Sequence, residues 1–246
     1  GQLYLEAAIF AHGRVFDFGP VFRAEKSKTR RHLTEFWMMD AEMAFADLDE
    51  NLKIQEDLIR FMVSAVLDNN QADLDILERD TKPLENIIKP FHRITHAEAV
   101  AKLQSMGSKI KDNDDLGAED ETMLTKGFDN PLFVTHYPAE IKAFYMKHDD
   151  KDDSKALCAD LLAPEGYGEI IGGSQREDDY DELLRRIKEH KLPVEEFQWY
   201  LDLRKYGSVQ HGGFGFGMER IVAWVSGIQH VRETIPFPRT IYRLKP

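Results

Sequence analysis

The chain contains a strand-like segment in which glycines alternate with phenylalanines and an apolar helix pattern follows at once: Gly212-Gly213-Phe214-Gly215-Phe216-Gly217-Met218-Glu219-Arg220. Side chains on a strand alternate between its two faces, so these glycines leave one face bare. A bare face can form a slot for a flat base, over which Arg220 could stack. Close packing of the following helix, predicted over residues 218–226, explains the glycines equally well. The segment is not a Rossmann fingerprint, because no βαβ unit surrounds it.

A second informative segment is a long predicted hairpin near a cluster of cations. Residues 14–22 and 35–45 are apolar and aromatic, as expected of paired strands, and the polar segment between them is predicted to be a loop. Arg23 stands where the first strand ends, and an arginine there can bind phosphate through paired hydrogen bonds. Phe36 offers an aromatic face for a purine. The loop adds the cations Lys26, Lys28, Arg30, Arg31 and His32, although a solvated hairpin tip would have the same composition.

A third segment combines carboxylates with glycines. Asp160 and Glu169 fall on neighbouring predicted strands, and Gly172-Gly173-Ser174-Gln175-Arg176 follows. Two carboxylates beside bound phosphates provide the hard oxygen ligands that Mg²⁺ requires. Arg176 could bind a polar substrate group, since the glycines let a ligand approach the backbone. Paired acids and a Gly-Gly turn are also common in proteins without such a site.

The rest of the chain indicates a mostly antiparallel sheet flanked by helices, an α+β fold, because the strands cluster without regular βαβ spacing. Thr95 is predicted to cap one helix, and Asp47 or Asp49 another. The predicted helices span residues 49–67, 97–106, 119–127, 176–191 and 193–206, and the predicted short strands span 91–95, 132–135, 143–146, 156–162 and 166–174, with a solvated turn at 148–155.

Composition narrows the class of protein. A formal net charge of −12 has the wrong sign for binding nucleic acid through the overall field of the domain. No run of apolar residues is long enough to span a membrane, and the first residues lack the pattern of a signal peptide. Cys158 is the single cysteine, which excludes an internal disulfide and a cysteine-built zinc site. A cytoplasmic location fits these features best.

Taken in order, these segments resemble the class II aminoacyl-tRNA synthetases. Residues 22–25 (Phe-Arg-Ala-Glu) look like motif 2, and residues 215–220 look like motif 3. Residues 2–4, 169–176 and 235–239 resemble the aspartyl/asparaginyl branch. The resemblance covers essentially the whole chain and implies the antiparallel sheet of class II enzymes.

The resemblance also implies a set of site residues. Arg23 and Arg220 would be the catalytic cations, and Asp160 with Glu169 would bind Mg²⁺. The implied ATP site comprises Arg23, Glu25, Arg31, His32, Leu33, Phe36, Glu169, Gly217, Met218, Glu219 and Arg220. The implied amino-acid site comprises Gln2, Arg23, Asp40, Gly172, Arg176 and His211.

The preferred amino acid follows from one position. Aspartyl enzymes usually carry a lysine directly after Gln-Leu-Tyr, where this chain has Leu5. Removing a cation suits a neutral amide and disfavours a carboxylate. We therefore expect activation of asparagine with ATP and transfer to tRNA(Asn). In this hypothesis Arg176 donates to the amide oxygen, while either Asp40 or Glu42 accepts from its nitrogen.

Two family parts are expected to be missing from this chain, which we interpret as one catalytic domain over residues 1–246. They are motif 1, which builds the homodimer interface, and the N-terminal β-barrel that binds the anticodon. Because motif 1 forms a dimer interface in this family, a homodimer is expected of the complete enzyme. The alternative is an aspartate-activating relative, either an aspartyl-tRNA synthetase or an ammonia-dependent asparagine synthetase, and Leu5 argues against both. A non-catalytic scaffold would predict eroded motifs, which this chain does not have.

Overall fold

The computed structural model describes residues 1–24 and 29–245. Its strands are β1 (Arg14–Phe22), β2 (Glu35–Ala44), β3 (His92–Thr95), β4 (Leu132–Thr135), β5 (His148–Asp149), β6 (Asp152–Ala156), β7 (Cys158–Ala163), β8 (Gly168–Gln175) and β9 (His211–Gly217). Its α-helices are α1 (Gln2–His12), α2 (Leu48–Asn69), α3 (Gln71–Ile76), α4 (Lys82–Glu85), α5 (His96–Ser105), α6 (Ala118–Thr125), α7 (Tyr180–Glu189), α8 (Gln198–Lys205) and α9 (Met218–Ser226). Short 3₁₀ helices cover Asn86–Ile88, Ala139–Ile141, Val194–Phe197 and Val231–Glu233.

The main sheet has the strand order β1-β2-β9-β8-β7-β4-β3, with β5 and β6 forming a separate hairpin. Neighbours in the main sheet are antiparallel except for β3 and β4. The predicted α+β architecture, a mostly antiparallel sheet flanked by helices, is therefore confirmed.

The largest apolar cluster fills one face of the central strands. Phe214 and Phe216 of β9 pack there with Leu52 and Ile59 of α2 and with Trp224 of α9, all at most 2% exposed. Because side chains alternate along a strand, Gly213, Gly215 and Gly217, which alternate with these two phenylalanines, belong to the opposite face. The sequence of β9 thus leaves that opposite face free for a site.

Helix starts follow the predicted capping chemistry. The carboxylate of Asp47 accepts from the backbone N–H of Glu50 at 2.9 Å, and Thr95 forms a full capping box with Glu98. The helix predicted from residue 176 begins instead at Tyr180, because Asp179 caps it. That shift leaves Arg176 just beyond β8, in an isolated bridge with Met146.

The strand predicted at residues 143–146 is wrong. The segment is a turn, and the predicted turn at 148–155 contains the β5–β6 hairpin. Phe144 is buried against Leu183, Ile187 and Tyr200 of α7 and α8. Its apolar character therefore reflects packing beneath two helices, not the alternation of a strand.

Candidate active site

A cleft lies on the glycine face of the sheet. Its wide part has a volume of about 550 Å³ and its narrow part about 90 Å³. Both parts are lined by Arg23, Arg31, His32, Met38, Glu169, Gly215 and Arg220, so they are continuous. The three sequence segments that suggested chemistry therefore converge on one cleft.

The strand register explains how the floor of the cleft is built. Asp17, Asp40, Gly215, Gly172 and Asp160 are directly opposite one another across β1, β2, β9, β8 and β7. Directly paired residues point to the same face of an antiparallel sheet. Two glycines thus form the middle of the floor, with a carboxylate on either side. Three interstrand spacings separate Asp40 from Asp160, about 14 Å, which leaves room for an amino acid and a phosphate between them.

At the β2 end of the floor, Arg176 is held by a buried acid. Its Nε donates to one oxygen of Glu42 at 3.2 Å, and its Nη2 donates to the other. Its Nη1 donates to Ser174 Oγ at 2.6 Å, and its guanidinium lies 5.3 Å from the ring centroid of Tyr145. Glu42 is fully buried, and burial raises its pKa to about 7 against the opposing charge of Arg176. Arg176 lines the cleft, whereas Glu42 lies behind it.

Asp40 and Gln2 also line the wide part of the cleft. Burial, followed by the charge of Asp17, raises the pKa of Asp40. Leu5 lies one helical turn after Gln2 on α1, hence on a similar side of that helix. The amino-acid residues predicted from sequence are thus brought together, with one exception.

The exception is His211, which the structure buries away from the cleft. Its Nε2 lies 3.0 Å from Glu6 Oε2, and its Nδ1 lies 2.7 Å from the carbonyl oxygen of Val209. Tyr200 and Arg204 of α8 also donate to Glu6, at 2.8 and 2.7 Å. Burial opposes ionisation of Glu6, but the His211 hydrogen bond and the Arg204 charge outweigh it and lower its pKa to about 2. His211 therefore connects β9 to α1 and α8. Because a buried polar side chain needs hydrogen-bond partners, these contacts account for a histidine at this position.

At the β7 end of the floor, two carboxylates face Gly172. A Cβ built on that glycine would lie 3.3 Å from Glu169 Oε1 and 3.6 Å from Asp160 Oδ1. Lys142 donates to Asp160 at 3.0 Å, and Arg220 donates to Glu169 at 2.8 Å. Burial raises the pKa of Asp160 despite Lys142, whereas Arg220 outweighs burial and lowers the pKa of Glu169. Among the described residues, no group of three or more potential ligands could hold a metal by itself.

The narrow part of the cleft contains the aromatic and cationic groups expected around a nucleotide. The Arg23 guanidinium lies 5.0 Å from the ring centroid of Phe36. Leu33, Phe36 and Gly217 line the cavity with Arg23 and Arg220. An aromatic ring and guanidinium groups of this kind can stack on a purine.

Two predicted nucleotide residues have other contacts. The carboxylate of Glu219 accepts from the backbone N–H of Trp37 at 3.0 and 3.1 Å, which fastens β2 to the start of α9, although Glu219 still lines the narrow part. Met218 packs against the main apolar cluster and is not among the lining residues. Glu25 lies outside the described residues.

Glu121, Lys142 and Tyr145 are among the side chains that line the cleft and that the sequence did not predict. Glu121 belongs to the helix predicted over residues 119–127, and Tyr145 to the segment wrongly predicted as a strand. No local pattern marks them as site residues, because the side chains they meet in the cleft, Arg31, Asp160 and Arg176, lie at least 18 positions away along the chain.

Comparison with known proteins identifies the family. A model of the tRNA synthetases class II (D, K and N) matches residues 1–241. The chain belongs to this family. It is 56% identical over 252 residues to asparagine–tRNA ligase of Koribacter versatilis and 55% identical over 246 residues to that of Pelotomaculum thermopropionicum. All of the chain is covered in both cases, but it spans only 57% of each relative.

A solved structure gives the same result in three dimensions. Asparaginyl-tRNA synthetase from Pyrococcus horikoshii, complexed with asparaginyl-adenylate, is 53% identical with a TM-score of 0.97. The match covers 99% of this chain and 56% of that one. Within residues 1–24 and 29–245, no helix combines the length and apolar character needed to cross a bilayer.

Proposed function

We propose that this chain is the catalytic part of an asparagine–tRNA ligase. The reaction joins asparagine to AMP with ATP and then transfers the asparaginyl group to tRNA(Asn). The relatives named asparagine–tRNA ligase and the similar structure with asparaginyl-adenylate support this proposal. The charges of the cleft support it independently.

The observation that carries the choice of amino acid is that Arg176, the cation expected to bind the side chain of the substrate, is already paired with an acid. Both carboxylate oxygens of Glu42 accept from Arg176, and Asp40 adds a second acid. Position 5 adds no cation, because it is leucine. The negative charge of these two acids would repel a carboxylate on the substrate side chain, whereas a neutral amide would not be repelled.

An amide also needs one donor and one acceptor from its site. Arg176 has a remaining N–H on Nη1 among the described contacts and can donate to the amide oxygen. Asp40 lines the cleft while Glu42 lies behind it, so Asp40 is the better acceptor for the amide nitrogen. Gln2 would accept from the α-amino group of the substrate.

The first step requires an oxygen of the asparagine carboxylate to attack the α-phosphorus of ATP. The bond from that phosphorus to the bridging oxygen breaks, and pyrophosphate leaves. Arg23, between the two parts of the cleft, would contact both the carboxylate and the α-phosphate. Phe36 and Arg220 would enclose the adenine, and Arg31 with His32 would bind the outer phosphates. No side-chain nucleophile is needed, so catalysis rests on positioning and charge stabilisation.

Magnesium fits the β7 end of the floor. Mg²⁺ in nucleotide enzymes commonly takes one or two carboxylates, with phosphates and water completing its coordination. Asp160 and Glu169 provide two carboxylates on either side of Gly172. The bound ion would neutralise phosphate charge.

In the second step, a hydroxyl of the terminal tRNA ribose attacks the carbonyl carbon of the adenylate and releases AMP. Because the chain is strongly acidic, with a net charge of −12, most contacts with tRNA would be made elsewhere in the protein. We extend the proposal to residues 1–246 as one catalytic domain, to an isologous homodimer and to a cytoplasmic location.

The decisive experiment is ATP–pyrophosphate exchange on the full-length protein without tRNA, comparing asparagine with aspartate. Exchange that depends on asparagine supports the proposal. Exchange that depends on aspartate instead would assign the protein to the aspartyl or asparagine-synthetase alternative. Omission of Mg²⁺ should abolish the exchange.

A further inference from the structure

Glu121, in the first turn of α6, contacts two parts of the nucleotide end of the cleft at once. Its Oε2 accepts from Arg31 Nη1 at 2.5 Å and from the backbone N–H of Glu169 at 3.0 Å. The side chains of Glu121 and Arg31 are 13% and 7% exposed. A nearly buried ion pair of this kind is strong only when further hydrogen bonds complete it.

Those further bonds are present on the arginine. Arg31 Nη2 donates to Thr122 Oγ1 at 2.5 Å and to the carbonyl oxygen of Gly166 at 2.7 Å. A guanidinium has five N–H donors, so the described contacts leave two of them for a ligand. Arg31 lines both parts of the cleft. Its orientation toward a ligand is therefore set by α6 and by the turn before β8.

The backbone makes room for this arrangement at Gly168. Its φ is +73°, and a Cβ there would overlap both the Arg31 guanidinium and the Glu121 carboxylate. Glu169, the next residue, is bound on its other side by Arg220. A continuous series of contacts therefore runs from Arg31 through Glu121 and Glu169 to Arg220.

We infer that Glu121 is a positioning residue for the ATP phosphates: it holds Arg31 in place for the outer phosphates and acts on the nucleotide mainly through that arginine. The inference rests on the proposed function of the cleft. It goes beyond the motifs, because Glu121 belongs to none of those that revealed the site. Loss of Glu121 frees Arg31 from one of its three fixed partners, so ATP binding weakens while the amino-acid pocket is unaffected.

The test uses Glu121→Ala, Glu121→Gln, Arg31→Ala and the double variant Glu121→Ala/Arg31→Ala in the full-length protein. Glu119→Ala is the matched control, since Glu119 is an exposed acid in the same helical turn. Calorimetric titration with ATP and Mg²⁺ gives the Kd without any amino acid, and pyrophosphate exchange gives the KM values. Melting temperatures show whether each variant folds.

Glu121→Ala should raise the Kd and KM for ATP about tenfold, with the KM for asparagine changed less than about twofold. Glu121→Gln keeps an acceptor oxygen and should lie between Glu121→Ala and the parent, while Glu119→Ala should match the parent. In the Arg31→Ala background, the further substitution Glu121→Ala should raise the Kd for ATP by less than about twofold. Additive effects of the two substitutions, or an equal rise in both KM values, would overturn the inference. Because the Kd for ATP needs no amino acid, it tests Glu121 even where exchange contradicts the proposed substrate.

Discussion

Replacing Gly213 with alanine should dismantle the amino-acid end of the cleft. Gly213 of β9 is paired with Glu42 of β2. A Cβ at this position would overlap the carboxyl carbon and both oxygens of Glu42. Glu42 cannot turn away freely, because both oxygens are bound to Arg176 and the side chain is fully buried. The methyl group therefore has to break that ion pair or displace a strand.

The magnitude follows from the buried pair. Breaking a buried ion pair on one side costs about 3–5 kcal/mol, because the other charge is left without compensation. For a chain of this size each 1 kcal/mol shifts the melting temperature by roughly 2 °C. We therefore expect Gly213→Ala to melt about 6–10 °C below the parent. Displacement of Arg176 should also raise the KM for asparagine at least about tenfold, with a smaller effect on the KM for ATP.

The assay is differential scanning calorimetry combined with pyrophosphate exchange. Gly19→Ala is the matched control: it is also a strand glycine, but a Cβ there has no neighbour within 4 Å in the described residues. The control should melt within about 2 °C of the parent. If Gly213→Ala has the same melting temperature as Gly19→Ala and an unchanged KM for asparagine, the ion pair of Glu42 with Arg176 is not as rigid as the contacts indicate.

Three further predictions concern single side chains. Arg23 is proposed to contact the α-phosphate, so Arg23→Ala should lower pyrophosphate exchange at least about 100-fold. Because Arg23 is exposed and packs only on the ring of Phe36 among the described contacts, the melting temperature should stay within about 2 °C of the parent. Near-normal exchange would contradict the role of Arg23. Leu5→Lys should reduce the preference for asparagine over aspartate by about tenfold or more, measured as the ratio of kcat/KM values, and an unchanged ratio would refute the cation argument. Glu6 has a pKa of about 2 in the fold against an ordinary 4.5. As the pH falls, Glu6 is therefore protonated in the unfolded state before it is protonated in the folded state. It should contribute about 3 kcal/mol of stability above pH 4.5 that is lost as the pH falls toward 2. Urea unfolding between pH 4.5 and 2 would measure this loss of stability, and the Glu6→Gln variant should lack this part of the pH dependence.

Much of the cleft could be predicted because its residues belong to local patterns. The alternation in residues 212–217 specified both the strand and its bare face, since a strand needs no distant information to alternate. Arg23 directly follows β1 and Arg220 lies in the first turn of α9, and the local sequence indicates both of these element boundaries. The bare face is not empty along its whole length, however. In the structure Glu42 and Asp40 occupy the space beside Gly213 and Gly215.

The sequence by itself determined the secondary structure that builds the sheet, the family motifs and the absence of a cation at position 5. These depend on residue type and on spacing within one element. Only the tertiary structure decided which acid pairs with Arg176, that His211 is buried with Glu6, and that Glu121 lies beside Arg31. Each of these pairs joins residues 90 or more positions apart. Their contact depends on strand register and helix packing, which no local pattern encodes.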